Sequence, residues 1–191
     1  MHYEKKILKN GLKAIVVPME NTEAVTLLVL VGTGSRYEEK NTGGISHFLE
    51  HLFFKGTKSR PSPGQIARVL DKIGAIYNAF TSKEYTGFWV KSAFTEFDTS
   101  LDIVSDILLE PVFKEEEIER ELFDVKSFLL AGVAVADSDG IIFQSFKIYC
   151  YTPRSADFIL SPVALSDVAV IIPHRGHFRF QHFINFPRLF Y

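Results

Sequence analysis

His47, Glu50 and His51 are the residues of this sequence whose types and spacing point most directly to chemistry. On a helix, His47 and His51 are four positions apart, so their imidazoles leave one face a turn apart. Two such rings can reach one Zn²⁺ at about 2.0–2.1 Å. Glu50 shares that face without needing to bind metal. Its natural role is general base, taking a proton from an activated water and returning one to a leaving amine. Two histidines at this spacing also arise as surface or capping residues. The metal reading gains from the apolar character of the rest of the segment, where two His and a Glu are costly to bury without a partner. It gains too from Gly43-Gly44, which allow close backbone packing ahead of the helix.

The surrounding pattern supplies elements to position these residues. Ile45 to Phe54 carries apolar residues at 45, 48, 49, 52 and 53, a helical spacing, with Gly56 as a stop. Upstream, two short extended runs, Lys5 to Leu8 and Leu12 to Val17, flank Asn10-Gly11, a hairpin signal. Ala24 to Val31 is apolar on both faces and reads as a central strand buried on both sides. Gly32 to Lys40 is a polar loop that contains Arg36, read as a solvated side chain. A second helix opens at Ser62 or Pro63 and runs to Ile73. Ile76–Phe80 and Tyr85–Ala93 read as two strands around a polar turn. A third helix spans Glu96 to Leu109 and ends at Pro111. A fourth begins at Lys114, with acidic residues suited to its dipole.

Composition narrows the function class. Lys and Arg number 21 against 23 Asp and Glu, a net charge of −2, which gives no basis for binding nucleic acid or an anionic membrane surface. The one cysteine, Cys150, excludes an internal disulfide framework and a multi-Cys zinc site. The N-terminus has no apolar signal region, and no apolar run approaches a membrane span. A cytoplasmic protein is expected. All 14 glutamates lie at or before Glu121 and the last 70 residues hold none, so the composition shifts there. We divide the chain into residues 1–125, a partial catalytic domain, and residues 126–191, a divergent tail in which Pro153, Pro162, Pro173 and Pro187 favour short, poorly packed pieces.

At these residues the sequence resembles the pitrilysin/insulinase metallopeptidases, which include mitochondrial processing peptidase. His-x-x-Glu-His is that family's inverted zinc motif. The similarity extends to the Gly11 hairpin, Gly34-Ser-Arg-Tyr-Glu38, Gly43 through Thr57, Ile73-Gly74, Asn78-Ala-Phe-Thr81, Glu84-Tyr-Thr86 and Pro111 through Glu121. It covers about residues 4–121. The resemblance implies an α+β fold, a mixed, mostly antiparallel sheet with helices packed on one face. It implies His47 and His51 as zinc ligands, Glu50 as catalytic base and Glu121 as an acid beside the metal. It also implies that Asn78, Ala79, Phe80 and Thr81 lie on an edge strand where a peptide substrate adds to the sheet. The sulfur-ribosyl lyases share the helix motif, but Glu84-Tyr-Thr86 and Gly34-Ser-Arg36 favour the peptidases.

The resemblance also implies a third zinc ligand, a glutamate seven residues after Glu121, and that position holds Phe128. Three accounts stay open. A reading-frame slip could have replaced the sequence after Glu121. Glu121 or Asp124 could substitute as ligand. His174, His177 or His182 of the tail could supply one. The expected function is therefore a zinc metalloendopeptidase cleaving peptides or unfolded segments, as a truncated or incomplete copy. The alternative is a non-catalytic, processing-peptidase-like structural or partner subunit lacking a complete zinc site. The expected partners are a peptide substrate and either a second copy or a second family domain.

Overall fold

The computed structural model describes residues 3–19, 22–40, 42–123 and 169–173. Asn10-Gly11 turns the chain between β1 (Glu4–Ile7) and β2 (Lys13–Val17), which pair antiparallel with Ile7 opposite Lys13. Gly11 sits at φ +88°, a left-handed conformation that glycine adopts without steric cost. β3 (Ala24–Val31) pairs along its full length with β5 (Thr86–Ala93), and β5 pairs with β4 (Ile76–Thr81). A sixth strand, β6 (Ala169–Pro173), lies between β2 and β3, parallel to β2 and antiparallel to β3. The order is β1-β2-β6-β3-β5-β4, with one parallel pair, so the expected mixed, mostly antiparallel sheet is present.

Two expectations need correction. β3 is not buried on both faces: Val25, Leu27, Val29 and Val31 are buried, while Ala24, Thr26, Leu28 and Leu30 are only partly so. The apolar run hid an ordinary alternation, because the helices that cover the first set pack on one side of the sheet. Second, residues 169–173, expected to pack poorly, form an interior strand of the sheet. Asp124, Phe128, His174, His177 and His182 lie outside the described residues.

The helices follow from local signals. α1 (Ile45–Phe53) starts after Gly44, whose φ is +93°. That left-handed turn is what glycine provides here. Close packing is not the reason, since a Cβ at neighbouring Gly43 would meet nothing nearer than 3.9 Å. α2 (Pro63–Lys72) has Ser62 as its N-cap in a capping box with Gln65 and Pro63 at the first turn. α3 (Phe97–Leu109) buries Leu101, Ile103, Val104 and Ile107 against β3 and β5. α4 occupies residues 115–123. Phe53 meets Phe88 of β5 edge to face, with ring centres 5.2 Å apart, and fastens the back of α1 to the sheet. Among the described residues no helix is long and apolar enough to cross a membrane.

Candidate metal centre

α1 brings its two histidines together. The Nε2 atoms of His47 and His51 stand 3.2 Å apart, and the rings meet edge to face. Two nitrogens at about 2.0–2.1 Å from one tetrahedral ion are separated by roughly 3.3 Å, so the pair fits zinc. His47 is exposed and the His51 side chain is 39% exposed, which leaves the pair open to solvent.

Glu121 of α4 approaches from the other side of the His51 ring. Its Oε2 accepts from His51 Nδ1 at 3.1 Å, and its Oε1 pairs with Lys55 Nζ. A proton on Nδ1 leaves Nε2 with a lone pair for a metal, the arrangement by which carboxylates orient metal-binding histidines. The Glu121 side chain is 6% exposed. Burial alone raises its pKa, but hydrogen bonding and charge from Lys55, then from His51, outweigh burial and hold the carboxyl below its ordinary value. Glu121 therefore stands on the Nδ1 side of His51 and not on the Nε2 side that faces His47. Its acidic neighbours differ among themselves: Glu115, Glu116 and Glu119 are exposed, whereas Glu117 is buried and paired with Arg120.

Glu50 points to the sheet edge. Its Oε2 accepts from the Thr81 hydroxyl at 2.5 Å, which ties this carboxylate to the last residue of β4. β4 is an edge strand, as expected, pairing only with β5 among the described residues. On it Tyr77, Ala79 and Thr81 alternate with the exposed Ile76, Asn78 and Phe80. The Phe80 ring covers Gly87 across the ladder, where a Cβ would come within 2.3 Å of the ring, and meets Tyr85 edge to face.

Sequence reasoning placed His47, Glu50, His51 and Glu121 but missed three partners. Lys55 carried a signal, lying one further turn along the face of His47 and His51. Thr81 was assigned to substrate, and its bond to Glu50 had no local signature. Glu38 was noted only as part of a family-like loop, yet its carboxylate accepts from the Gly44 and Ser46 amides. Arg36, expected to be solvated, forms an exposed ion pair with Glu84. Among the described residues no group of three or more His, Cys, Asp or Glu converges to hold a metal ion.

Below the site, Arg60 pairs with Asp102 and Asp106, and the Thr57 hydroxyl donates to Asp106 at 2.6 Å. Desolvation works against the Arg60 charge, but hydrogen bonds to the two aspartates raise its pKa above the ordinary value. These bonds fix the loop between Lys55 and α2 onto α3, and thereby the C-terminal end of α1.

The fold and motif together define a class: an α+β domain of the metallopeptidase type, carrying its His-x-x-Glu-His helix against a sheet edge. The family described as insulinase (peptidase family M16) matches residues 14–130. An uncharacterized zinc protease of Rickettsia felis is 33% identical over 183 residues, 94% of this chain and 41% of its own length. The mitochondrial-processing peptidase subunit beta of Saccharomyces cerevisiae is 41% identical over 114 residues, 60% of this chain and 24% of its own length. The crystal structure of a protease from Helicobacter pylori shares the fold with a TM-score of 0.79 at 24% identity, over 100% of this chain and 50% of that one. The chain belongs to the insulinase family, peptidase family M16, and spans less than half the length of the two relatives just named. A frame slip after Glu121 predicts that similarity stops there; the Rickettsia felis alignment continues into the tail, while the family match ends at residue 130.

Proposed function

We propose that this chain supplies the zinc-binding segment of an endopeptidase that cleaves peptides or unfolded segments. The observation that carries the reading is the 3.2 Å separation of the two Nε2 atoms, with Glu121 on the opposite nitrogen of His51. When bound, zinc supplies Lewis-acid polarisation of the scissile carbonyl and the attacking water. The chain's own residues do the rest. Glu50 takes a proton from the water and delivers it to the leaving amine. Thr81 holds one oxygen of Glu50, so the base is oriented before substrate arrives. An extended peptide adds to the outer edge of β4 and presents its backbone beside that carboxylate. Names of relatives support the class: one is called a zinc protease, another a subunit of a processing peptidase. In this reading the site is completed by a second family domain or a second copy of the chain.

A second reading, a partner subunit without catalysis, draws on Phe128 at the position of the expected third ligand. Metal analysis of purified protein separates the two. Catalysis predicts about one zinc per chain, lost in His47→Ala, and predicts that Glu50→Gln keeps the metal while abolishing peptide cleavage. Protein without zinc at neutral pH supports the partner reading, and unchanged cleavage by Glu50→Gln removes Glu50 as base.

A further inference from the structure

α1 lacks a conventional cap. Its N-cap is Gly44, which has no side chain to accept from the first-turn amides. The acceptor comes from elsewhere: Glu38 Oε2 accepts from the Gly44 amide at 2.6 Å and Oε1 from the Ser46 amide at 2.9 Å. His47 is the next residue, so this carboxylate holds the turn that carries one of the two facing imidazoles. A negative charge here also complements the positive end of the helix.

The same short loop grips the edge hairpin at its other end. The Ser35 amide donates to the Ser82 carbonyl at 3.2 Å, and the Arg36 amide to the Lys83 carbonyl at 2.8 Å. Arg36 pairs with Glu84. Gly34 lies so close that a Cβ would stand 2.4 Å from the Ser82 oxygen. One loop of five residues thus joins the β4–β5 turn to the first turn of the metal helix. The Thr81–Glu50 bond closes the same circuit from the far side.

We infer that residues 34–38 are a strap that sets the histidine helix against the edge strand, with Glu38 as a positioning residue that holds His47 in register with His51. Glu38 acts through the α1 backbone. The consequence for metal binding rests on the proposed function, but the positioning of the first turn does not.

The experiment uses the full chain with Glu38→Ala and Glu38→Gln, and two measurements. The first is amide exchange at Gly44 and Ser46. Exchange should quicken in Glu38→Ala, and less in Glu38→Gln, which keeps one acceptor oxygen, while amides of α3 stay protected. The second is affinity for Co²⁺ or Zn²⁺ alone, which should weaken about 2- to 30-fold in Glu38→Ala, the range for losing a helix N-cap. Exchange at Gly44 and Ser46 equal to wild type in both variants overturns the strap. Quickened exchange with unchanged metal affinity overturns the claim that Glu38 sets the histidine register. If the wild-type chain binds neither metal, the proposed function fails, and exchange still decides the role of Glu38. If Glu38→Ala does not fold, Glu38→Gln decides both.

Discussion

Replacing Glu121 by glutamine tests the metal centre without touching a facing nitrogen. The native carboxylate serves two donors at once, Lys55 Nζ on Oε1 and His51 Nδ1 on Oε2 at 3.1 Å. A carboxamide offers one oxygen and no charge, so at least one donor loses its acceptor. The side chain is 6% exposed, so water cannot easily substitute. A charge-assisted hydrogen bond of this kind contributes about 1.5–3 kcal/mol. Carboxylates that orient metal-binding histidines typically carry 10- to 100-fold in affinity, roughly 1.4–2.7 kcal/mol. The two estimates agree, and a loss within that range is expected. The assay is zinc competition against a chromophoric chelator at neutral pH, with His51→Ala as the limit. Affinity unchanged in Glu121→Gln refutes the orienting role. A loss as complete as in His51→Ala also refutes it, because that result would make Glu121 a ligand.

Two further outcomes follow from the surroundings of the site. Arg60→Ala removes the Arg60 ion pair from Asp106, which is 1% exposed; with Arg60 itself 20% exposed, unfolding should become easier by roughly 2–4 kcal/mol, seen as a lower urea midpoint. Gly34→Ala introduces no backbone strain, since φ is −177°, but its methyl group would overlap the Ser82 carbonyl, so a loss of about 1–3 kcal/mol in thermal or urea unfolding is expected, and an unaltered midpoint would show that the hairpin can move aside.

Local signals in the sequence account for most of the elements. The Asn10-Gly11 turn, the Ser62-Pro63 start and the apolar spacing of α1 and α3 each depend on neighbours a few residues away. The histidine pair was readable for the same reason, because four residues on a helix is a fixed distance. What escaped was contact between remote segments. Lys55 with Glu121, Thr81 with Glu50 and Glu38 with the α1 amides depend on how α4, β4 and the strap are placed, and no periodicity encodes that. Glu121 itself was reached through resemblance; its burial among exposed acidic neighbours was not visible in the acidic run. β6 escaped because Ala-Val-Ile-Ile-Pro is a short apolar run in a segment with no regular period around it. β3 misled because leucines on its less covered face imitate a fully enclosed strand.

The position of β6 governs the order in which the sheet can be assembled. β2 and β3 are near neighbours in sequence, yet β6 separates them, and β6 lies close to the other end of the chain. Among the described strands the β1–β2 hairpin and the β3–β5–β4 ladder are paired only through residues 169–173, so without that segment they are two pieces. Each piece then keeps an unpaired strand edge, the kind of edge that recruits other chains. Closing the sheet pairs Ile15 with Ile171 and Val29 with Val170, contacts of long sequence separation and a slow class. Among the described residues β6 is the strand that makes one six-stranded sheet of the two pieces, while the histidine helix packs at the β4 end.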